Sequence, residues 1–157
     1  LTYRNTADFE IWGADLAAQL LIDNRLSIAG NFSHMSANCF VGTVDEDNGI
    51  CSGILDIALN APHNKGSVSV RWDDVRRGFT AEGRARFSSG FSMNSGPFVG
   101  VVDAYTLLDA TASYRPSRLS GVTISVSGTN LFDRKTRFFL GAPEVGRLLL
   151  VRLGYEF

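Results

Sequence analysis

The sequence predicts an all-β fold, an antiparallel segment of a transmembrane β-barrel with about seven strands. Seven segments alternate apolar and polar residues at period 2, which is typical of strands with one face in lipid and one in water. The connections between them alternate between short and long, as they do at the two ends of an outer-membrane barrel. No run of about 18 apolar residues occurs, which excludes a transmembrane helix.

The composition agrees with this class. A net charge of −1 gives no electrostatic basis for binding nucleic acid, and the 16 glycines suit a turn-rich β protein. A mean hydropathy of +0.04 is expected when each strand is half polar. The chain starts at Leu1 without a signal peptide, and its seven predicted strands are an odd number for a bacterial barrel. We therefore expect a fragment of a larger barrel.

The first four strands are predicted at residues 9–21, 25–33, 67–72 and 79–87. Asp23-Asn24 and Asp73-Asp74 mark short turns, whereas residues 34–65 form a long loop with little periodicity. The fourth strand is the most diagnostic, because Glu82, Arg84 and Arg86 form a column of charge on one face. Such a column is costly to bury in a dry core, but in a wide barrel it meets the water of the lumen.

The last three strands are predicted at residues 108–114, 122–127 and 145–157. They are separated by a sharp turn at Arg115-Pro116-Ser117 and by a long loop at 129–144, and a further long loop at 88–103 precedes them. The final strand carries Leu149, Val151, Leu153, Tyr155 and Phe157 on one face, with Gly146, Arg152, Gly154 and Glu156 opposite. The short turns predict a periplasmic C-terminus, with aromatic residues at that interface.

The alternation also assigns each side chain to a face. The residues predicted to face lipid are Trp12, Leu16, Val68, Val70, Leu108, Ile124, Val126, Val151 and Leu153. The charged residues predicted to face the lumen are Arg71, Glu82, Arg84, Arg86, Asp109 and Arg152. A cross-strand charge ladder that holds the wall is the favoured interpretation of the second set.

Several strings resemble one family, the TonB-dependent outer-membrane receptors. Gly128-Thr129-Asn130-Leu131-Phe132-Asp133 followed by Lys135 is similar to that family's Asn-Leu-Phe-Asp-Lys motif near the C-terminus. Gly141-Ala142-Pro143, Gly146-Arg147 and the ending Tyr155-Glu156-Phe157 resemble its closing segment. Upstream, Ala104-Tyr105-Thr106-Leu107-Leu108-Asp109 with Tyr114-Arg115-Pro116 is similar to the third-last strand of that family, and Asn60-Ala61-Pro62-His63-Asn64-Lys65 resembles its usual entry to a strand.

The resemblance implies a barrel of about 22 strands with a plugged lumen, of which residues 1–157 form the last seven strands. It implies a place in the outer membrane of a Gram-negative cell, in contact with lipid. It also implies three partners: an N-terminal plug domain, the TonB complex reached through a TonB box, and a small-molecule ligand. The plug and the TonB box lie outside this sequence. The ligand class stays open between iron–siderophore complexes, cobalamin and oligosaccharides.

The candidate functional residues are few. Cys39 and Cys51 share one predicted extracellular loop, where a disulfide would add about 3 kcal/mol on the chain-entropy model. The bond would either shape a ligand mouth or only resist proteolysis. Arg86, His34 and His63 are the candidate ligand-binding residues, and the resemblance implies that Tyr155 and Phe157 form an assembly signal. No catalytic residue, metal site or cofactor is predicted, so we expect no enzyme.

The sequence fits two other classes of barrel less well. A small stand-alone outer-membrane barrel with an adhesin or structural role needs an eighth strand before Phe9, and residues 1–8 are too short to supply it. A soluble lipocalin-like binding barrel needs an apolar interior, but the faces that carry charges and glycines leave no dry core.

Overall fold

The computed structural model describes residues 10–40, 44–45, 50–51 and 57–156. Regular structure in this part of the chain consists of β-strands. None of the described residues belongs to a helix that is long and apolar enough to cross a membrane. The prediction of an all-β antiparallel fold is therefore confirmed.

Thirteen strands are present among the described residues, and seven of them form one large sheet. In chain order the strands are β1 Gly13–Leu21, β2 Leu26–Met35, β3 Cys39–Phe40, β4 Val44–Asp45, β5 Ile50–Cys51, β6 Ile57–Ala58, β7 Asn64–Asp74, β8 Phe79–Ser88, β9 Phe91–Ser95, β10 Phe98–Val102, β11 Tyr105–Tyr114, β12 Val122–Thr129 and β13 Leu148–Tyr155. The large sheet has the order β1-β2-β7-β8-β11-β12-β13, and every neighbouring pair is antiparallel.

The seven predicted strands match these seven, with shifted ends. β1 begins at Gly13 and not at residue 9, which lies outside the described residues. β7 begins at Asn64, earlier than predicted, because its first residues pair with the end of β2. β13 begins at Leu148 rather than 145, since Val145 pairs with Thr136 in an isolated bridge of the preceding loop.

Cross-strand pairing explains why the predicted faces are correct. Residues that pair directly across a sheet point to the same side, so one register carries a face assignment from strand to strand. One row crosses the whole sheet through Leu20, Ile28, Val70, Gly83, Ala110, Gly128 and Leu149. We call the side that carries this row the apolar face. Its large side chains are uncovered: Leu16 is 69% exposed and Val151 is 76% exposed.

The opposite side, the polar face, carries the charged residues, and ion pairs link them. Arg71 Nε lies 2.7 Å from Asp73 Oδ2, Arg84 Nη2 lies 3.2 Å from Glu82 Oε1, and Arg71 also reaches Glu82 across the β7–β8 pair at 3.9 Å. The first two contacts join residues of the same strand, and only the contact between Arg71 and Glu82 is a cross-strand pair of the expected kind.

The polar face is less uniform than the sequence suggested. Leu148 and Leu150 share the side of Arg152, and each is about half exposed. The predicted strand began at residue 145 and was described by Gly146 and Arg152, so the two leucines between them were not assigned to this face. The final strand therefore has apolar residues on both sides near its start.

The short turns have local causes. Asp23 Oδ1 accepts the N–H groups of Arg25 at 2.6 Å and Leu26 at 2.7 Å, which closes the first turn as an Asx turn. The second turn ends at Gly78, whose φ is +68° and where a side chain would meet the carbonyl of Arg115. The third connection runs over residues 115–121, the interval left between the strands predicted at 108–114 and 122–127.

The two edges of the large sheet determine how it can be extended. Six antiparallel pairings separate β1 from β13, so these two edge strands run in the same direction. They cannot pair with each other as antiparallel neighbours. Closing this sheet as an antiparallel barrel therefore needs an odd number of further strands.

Candidate functional site

The three long connections lie together at one end of the sheet. We call them loop A (the described residues 36–40, 44–45, 50–51 and 57–63), loop B (89–104) and loop C (130–147). Loop B contains the hairpin of β9 and β10, which the alternation analysis missed. Its turn signal, Asn94-Ser95-Gly96-Pro97 between short apolar runs, was present in the sequence.

Asn130 organises the beginning of loop C. It is 3% exposed and adopts a φ of +51°, a conformation that asparagine tolerates better than most residues. Its Nδ2 donates to the carbonyls of Arg134 at 2.8 Å and Val145 at 3.2 Å, and its Oδ1 accepts from the N–H of Arg134 at 3.0 Å. One side chain thus ties the two ends of the loop together, which gives the Asn-Leu-Phe-Asp string a structural role.

Asp133 closes the same loop from its other side. Its Oδ1 accepts the N–H of Arg147 at 2.7 Å, and the ammonium of Lys135 lies 3.5 Å from the same oxygen. The hydrogen bond from Arg147 and the charge of Lys135 both favour the carboxylate, so they hold the pKa of Asp133 below its usual value of 3.8.

Arg86, a predicted ligand residue, is engaged by a neighbour on the polar face. Its Nη2 donates to Asp109 Oδ1 at 3.3 Å, while its Nε lies 2.8 Å from Asp109 Oδ2 with the N–H turned off that line. Asp109 Oδ1 also accepts the N–H of Asn130 at 2.9 Å. The pair therefore supports the base of loop C from within the sheet.

The two histidines lie at the base of loop A. His34 Nδ1 donates to Asn64 Oδ1 at 2.8 Å, and its ring centroid lies 5.0 Å from that of Trp12. His34 pairs with Ala14, so it belongs to the apolar face and not to the lumen side. His63 Nδ1 donates to the carbonyl of Met35 at 2.7 Å. A role for either histidine in ligand binding stays a prediction.

The structure joins Cys39 and Cys51 in a disulfide, with Cα atoms 5.7 Å apart. Cys39 is buried, and the N–H of Cys51 donates to Ser92 Oγ in loop B at 2.9 Å. The bond therefore lies beside a contact between two loops.

The polar face has an open depression of about 460 Å³ next to the loops. Its polar lining comes from five of the sheet strands and includes Asp15, Asn31, Lys65, Arg86 and Tyr105. Arg86 was predicted to face the lumen, whereas Lys65 and Tyr105 were not predicted as site residues. Alternation extended backward along β7 would have assigned Lys65 to this face.

The other end of the sheet carries aromatic side chains. Trp72 and Phe79 lie with ring centroids 5.6 Å apart, and Tyr114 and Tyr155 are exposed on the same apolar face. Phe157 lies outside the described residues. At the loop end, Phe32 and Phe87 stack at 6.2 Å. Two aromatic levels on an uncovered apolar face are typical of a wall that crosses a bilayer.

These features define a class, the wall of a transmembrane β-barrel with its long loops gathered at one end. The chain belongs to the TonB dependent receptor-like β-barrel family, whose model matches residues 1–131. The barrels of this family lie in the outer membrane, and its members are receptors rather than enzymes. A comparison with curated proteins gave no match.

Solved structures show the same fold at low sequence identity. The siderophore receptor PiuA from Acinetobacter baumannii is 15% identical, with a TM-score of 0.65, and the similarity covers 92% of this chain and 21% of that one. A mutant of the ferric enterobactin receptor PfeA from Pseudomonas aeruginosa is also 15% identical, with a TM-score of 0.61 and coverages of 92% and 22%. The chain thus spans about a fifth of the length of these structures.

Proposed function

We propose that residues 1–157 form the C-terminal part of the barrel domain of a TonB-dependent receptor that imports a scarce ligand across the outer membrane. The observation that carries the proposal is the family match, which fits a sheet whose uncovered apolar face crosses every strand. In this proposal the whole barrel has about 22 strands. The plug domain and the TonB box belong to the receptor upstream of this sequence.

We propose a ferric siderophore as the ligand. The support is that the similar structures PfeA and PiuA are named as receptors for ferric enterobactin and for a siderophore. Cobalamin and oligosaccharides are the other outcomes that the test below separates.

Within such a receptor, this chain would supply wall and loops. The depression on the polar face is the part we expect to meet the ligand or the plug. Lys65 is exposed there and has no ion pair with any other described residue, whereas Arg86 is held by Asp109. We therefore rank Lys65 above Arg86 as a ligand-contacting cation. Arg86, His34 and His63 stay predictions for that role.

Growth and uptake test the proposal directly. Deletion of the intact gene should abolish uptake of one iron-labelled siderophore in iron-limited cells, and a protonophore should abolish it in the wild type because transport is TonB-driven. Cyanocobalamin and an oligosaccharide serve as alternative substrates. The proposal is overturned if deletion leaves the uptake of the siderophore, of cyanocobalamin and of the oligosaccharide unchanged.

Orientation needs its own experiment. We propose that loops A, B and C are extracellular and that the C-terminus is periplasmic. Ser95 at the tip of the β9–β10 hairpin and Ser117 in a short turn are both exposed serines at opposite ends of the sheet. A membrane-impermeant maleimide should label Ser95→Cys on intact cells and Ser117→Cys only after permeabilisation. The reverse pattern would invert the orientation.

A further inference from the structure

The hairpin of β9 and β10 lies between the other two long loops. We propose that it locks loops A, B and C into one rigid rim, so that this side of the ligand mouth is preformed and does not rearrange loop by loop. That this rim borders a ligand mouth rests on the proposed function. The locking itself rests on contacts on both faces of the hairpin.

One face of the hairpin packs against loop C. Pairing places Phe91, Met93, Phe98, Gly100 and Val102 on this side, and Phe91 and Val102 are buried. The N–H of Leu140 donates to Met93 Sδ at 3.3 Å. A Cβ at Gly100 would lie 3.1 Å from Leu140 Cδ1, and one at Gly141 would run into the ring of Phe98. A side chain at Gly141 would therefore displace the ring of Phe98, whereas one at Gly100 would require only a small shift of Leu140.

The other face of β9 contacts loop A. Ser92, which is 7% exposed, accepts the N–H of Cys51 at 2.9 Å. Asn94 and Asn60 form a reciprocal pair: the N–H of Asn94 donates to Asn60 Oδ1 at 2.7 Å, and Asn60 Nδ2 donates to the Asn94 carbonyl at 3.2 Å. Because Cys51 is joined to Cys39, the disulfide fixes the strand that contacts Ser92.

The base of the hairpin is also held from both sides. The N–H of Ser89 donates to the Asn64 carbonyl at 2.8 Å, and the N–H of Asn64 donates to Ser89 Oγ at 3.1 Å. On the loop C side, Arg134 Nη2 donates to the Ala104 carbonyl at 3.1 Å. The rings of Tyr105 and Phe138 meet edge to face at 5.3 Å. Ser89 and Ala104, the first and last residues of loop B, are thus each bonded to a neighbouring segment, while Tyr105 joins β11 to loop C.

These contacts make the three loops one cooperative unit. Loops of a receptor generally open independently and with little free energy, because few buried contacts hold them. Here the hairpin contacts loop C through Met93, Phe98 and Gly100. It contacts loop A through three hydrogen bonds, each between a backbone group and a side chain. Opening of one loop would therefore expose groups of another. A perturbation in loop C should therefore reach loop A through the hairpin.

Hydrogen exchange on the purified intact receptor tests this coupling, with Gly141→Ala as the variant. Gly96→Ala is the matched control, because both glycines have positive φ, +88° and +59°, but only a Cβ at Gly141 meets another segment. Gly141→Ala should speed exchange about tenfold or more in residues 91–102, and the increase should extend to residues 57–60. Gly96→Ala should affect only the hairpin turn.

A second variant approaches the hairpin from loop A. Asn60→Gly keeps the positive φ of +57° but removes both bonds to Asn94. It should speed exchange in residues 91–102 and in residues 137–142, as should reduction of Cys39–Cys51 with a thiol. This arm decides the matter if Gly141→Ala does not assemble.

The loops are independent, and the proposal is wrong, if each change affects only its own loop. A failure of the proposed function can be distinguished from a failure of this proposal, because the exchange experiment does not depend on the orientation of the barrel or on its ligand. In that case the coupling would be seen while Ser95→Cys stayed unlabelled on intact cells.

Discussion

At the scale of single residues, Asn130 explains why a short string near the C-terminus carries structural information. Its side-chain amide donates two hydrogen bonds and accepts one, which needs both an N–H and a carbonyl on the same short side chain. Asparagine also tolerates the positive φ of this position. Asp109 receives its N–H and at the same time holds Arg86. A turn in the loop is thus connected to an ion pair on the wall.

Replacing Asn130 should weaken this connection in a separable way. Asn130→Ala should destabilise the barrel by roughly 2–4 kcal/mol, because it loses buried hydrogen bonds and also strains the positive φ. Asn130→Gly removes the same bonds but relieves the strain, so it should cost less. Urea unfolding of the receptor in lipid vesicles measures both, and equal stability of all three proteins would contradict the structural role.

Asp133 should make loop C sensitive to acid. Its pKa is depressed by the N–H of Arg147 and by Lys135, so the carboxylate contributes stability that is present above the unfolded value near 3.8 and is lost as the pH falls through the lower folded value. Protection of the amides in residues 133–147 from exchange, measured relative to their intrinsic exchange rate at each pH, should therefore fall on acidification below about pH 4. Asp133→Asn should remove this dependence. An unchanged acid response in Asp133→Asn would show that another group controls the loop.

At the scale of elements, β13 presents two neighbouring residues to different environments. Val151 points to the apolar face and Leu150 to the polar face. Arginine at Val151 should cost about 2–4 kcal/mol if this residue lies near the bilayer midplane, whereas arginine at Leu150 should cost little because the lumen is wet. Unfolding in lipid vesicles compares the two variants. A similar cost for both, or a negligible cost at Val151, would contradict the face assignment.

The disulfide between strands β3 and β5 can be tested directly by peptide chemistry. Non-reduced peptides from exported receptor should contain a Cys39–Cys51 link, and closing this short loop should add about 3 kcal/mol on the chain-entropy model. Mass spectrometry before and after reduction detects the link. Two free thiols in exported protein would show that the bond does not form in the cell.

The sheet could be predicted from sequence far better than the loops. The period-2 pattern fixes a face, and a register error of one residue would have reversed it, so Leu16, Val70 and Val151 were assigned correctly together. The β9–β10 hairpin was missed because strands of five residues carry too little alternation. The contacts of Asn60 with Asn94 and of Leu140 with Met93 join residues distant in sequence, and no local pattern indicates them.

At the scale of the whole molecule, the edges of the sheet set the next constraint. β1 and β13 run in the same direction and each leaves a row of backbone groups without a partner among the described strands. Such edges invite pairing with another chain, and barrels remove them by closure. Antiparallel closure requires an odd number of additional strands, which gives an even total. This agrees with the even counts of bacterial outer-membrane barrels.

The open edge of β13 also motivates a prediction about assembly. The last strand must be recognised before the barrel closes, and an exposed edge can be captured by strand addition. We expect Phe157, with Tyr155 on the same alternating column, to serve as the recognition signal. Removing residues 155–157 from the intact receptor should reduce its outer-membrane level far more than it alters ligand affinity in the molecules that assemble.

Single substitutions separate this role from interfacial anchoring. Phe157→Ala should lower the amount of receptor recovered in the outer-membrane fraction, whereas Glu156→Ala, the neighbouring residue of opposite alternation, should leave it unchanged. An anchor alone would affect the stability of the assembled barrel and not its amount, because anchoring acts after insertion. Normal surface levels and normal uptake for Phe157→Ala would therefore leave the terminal aromatic residue without an assembly role.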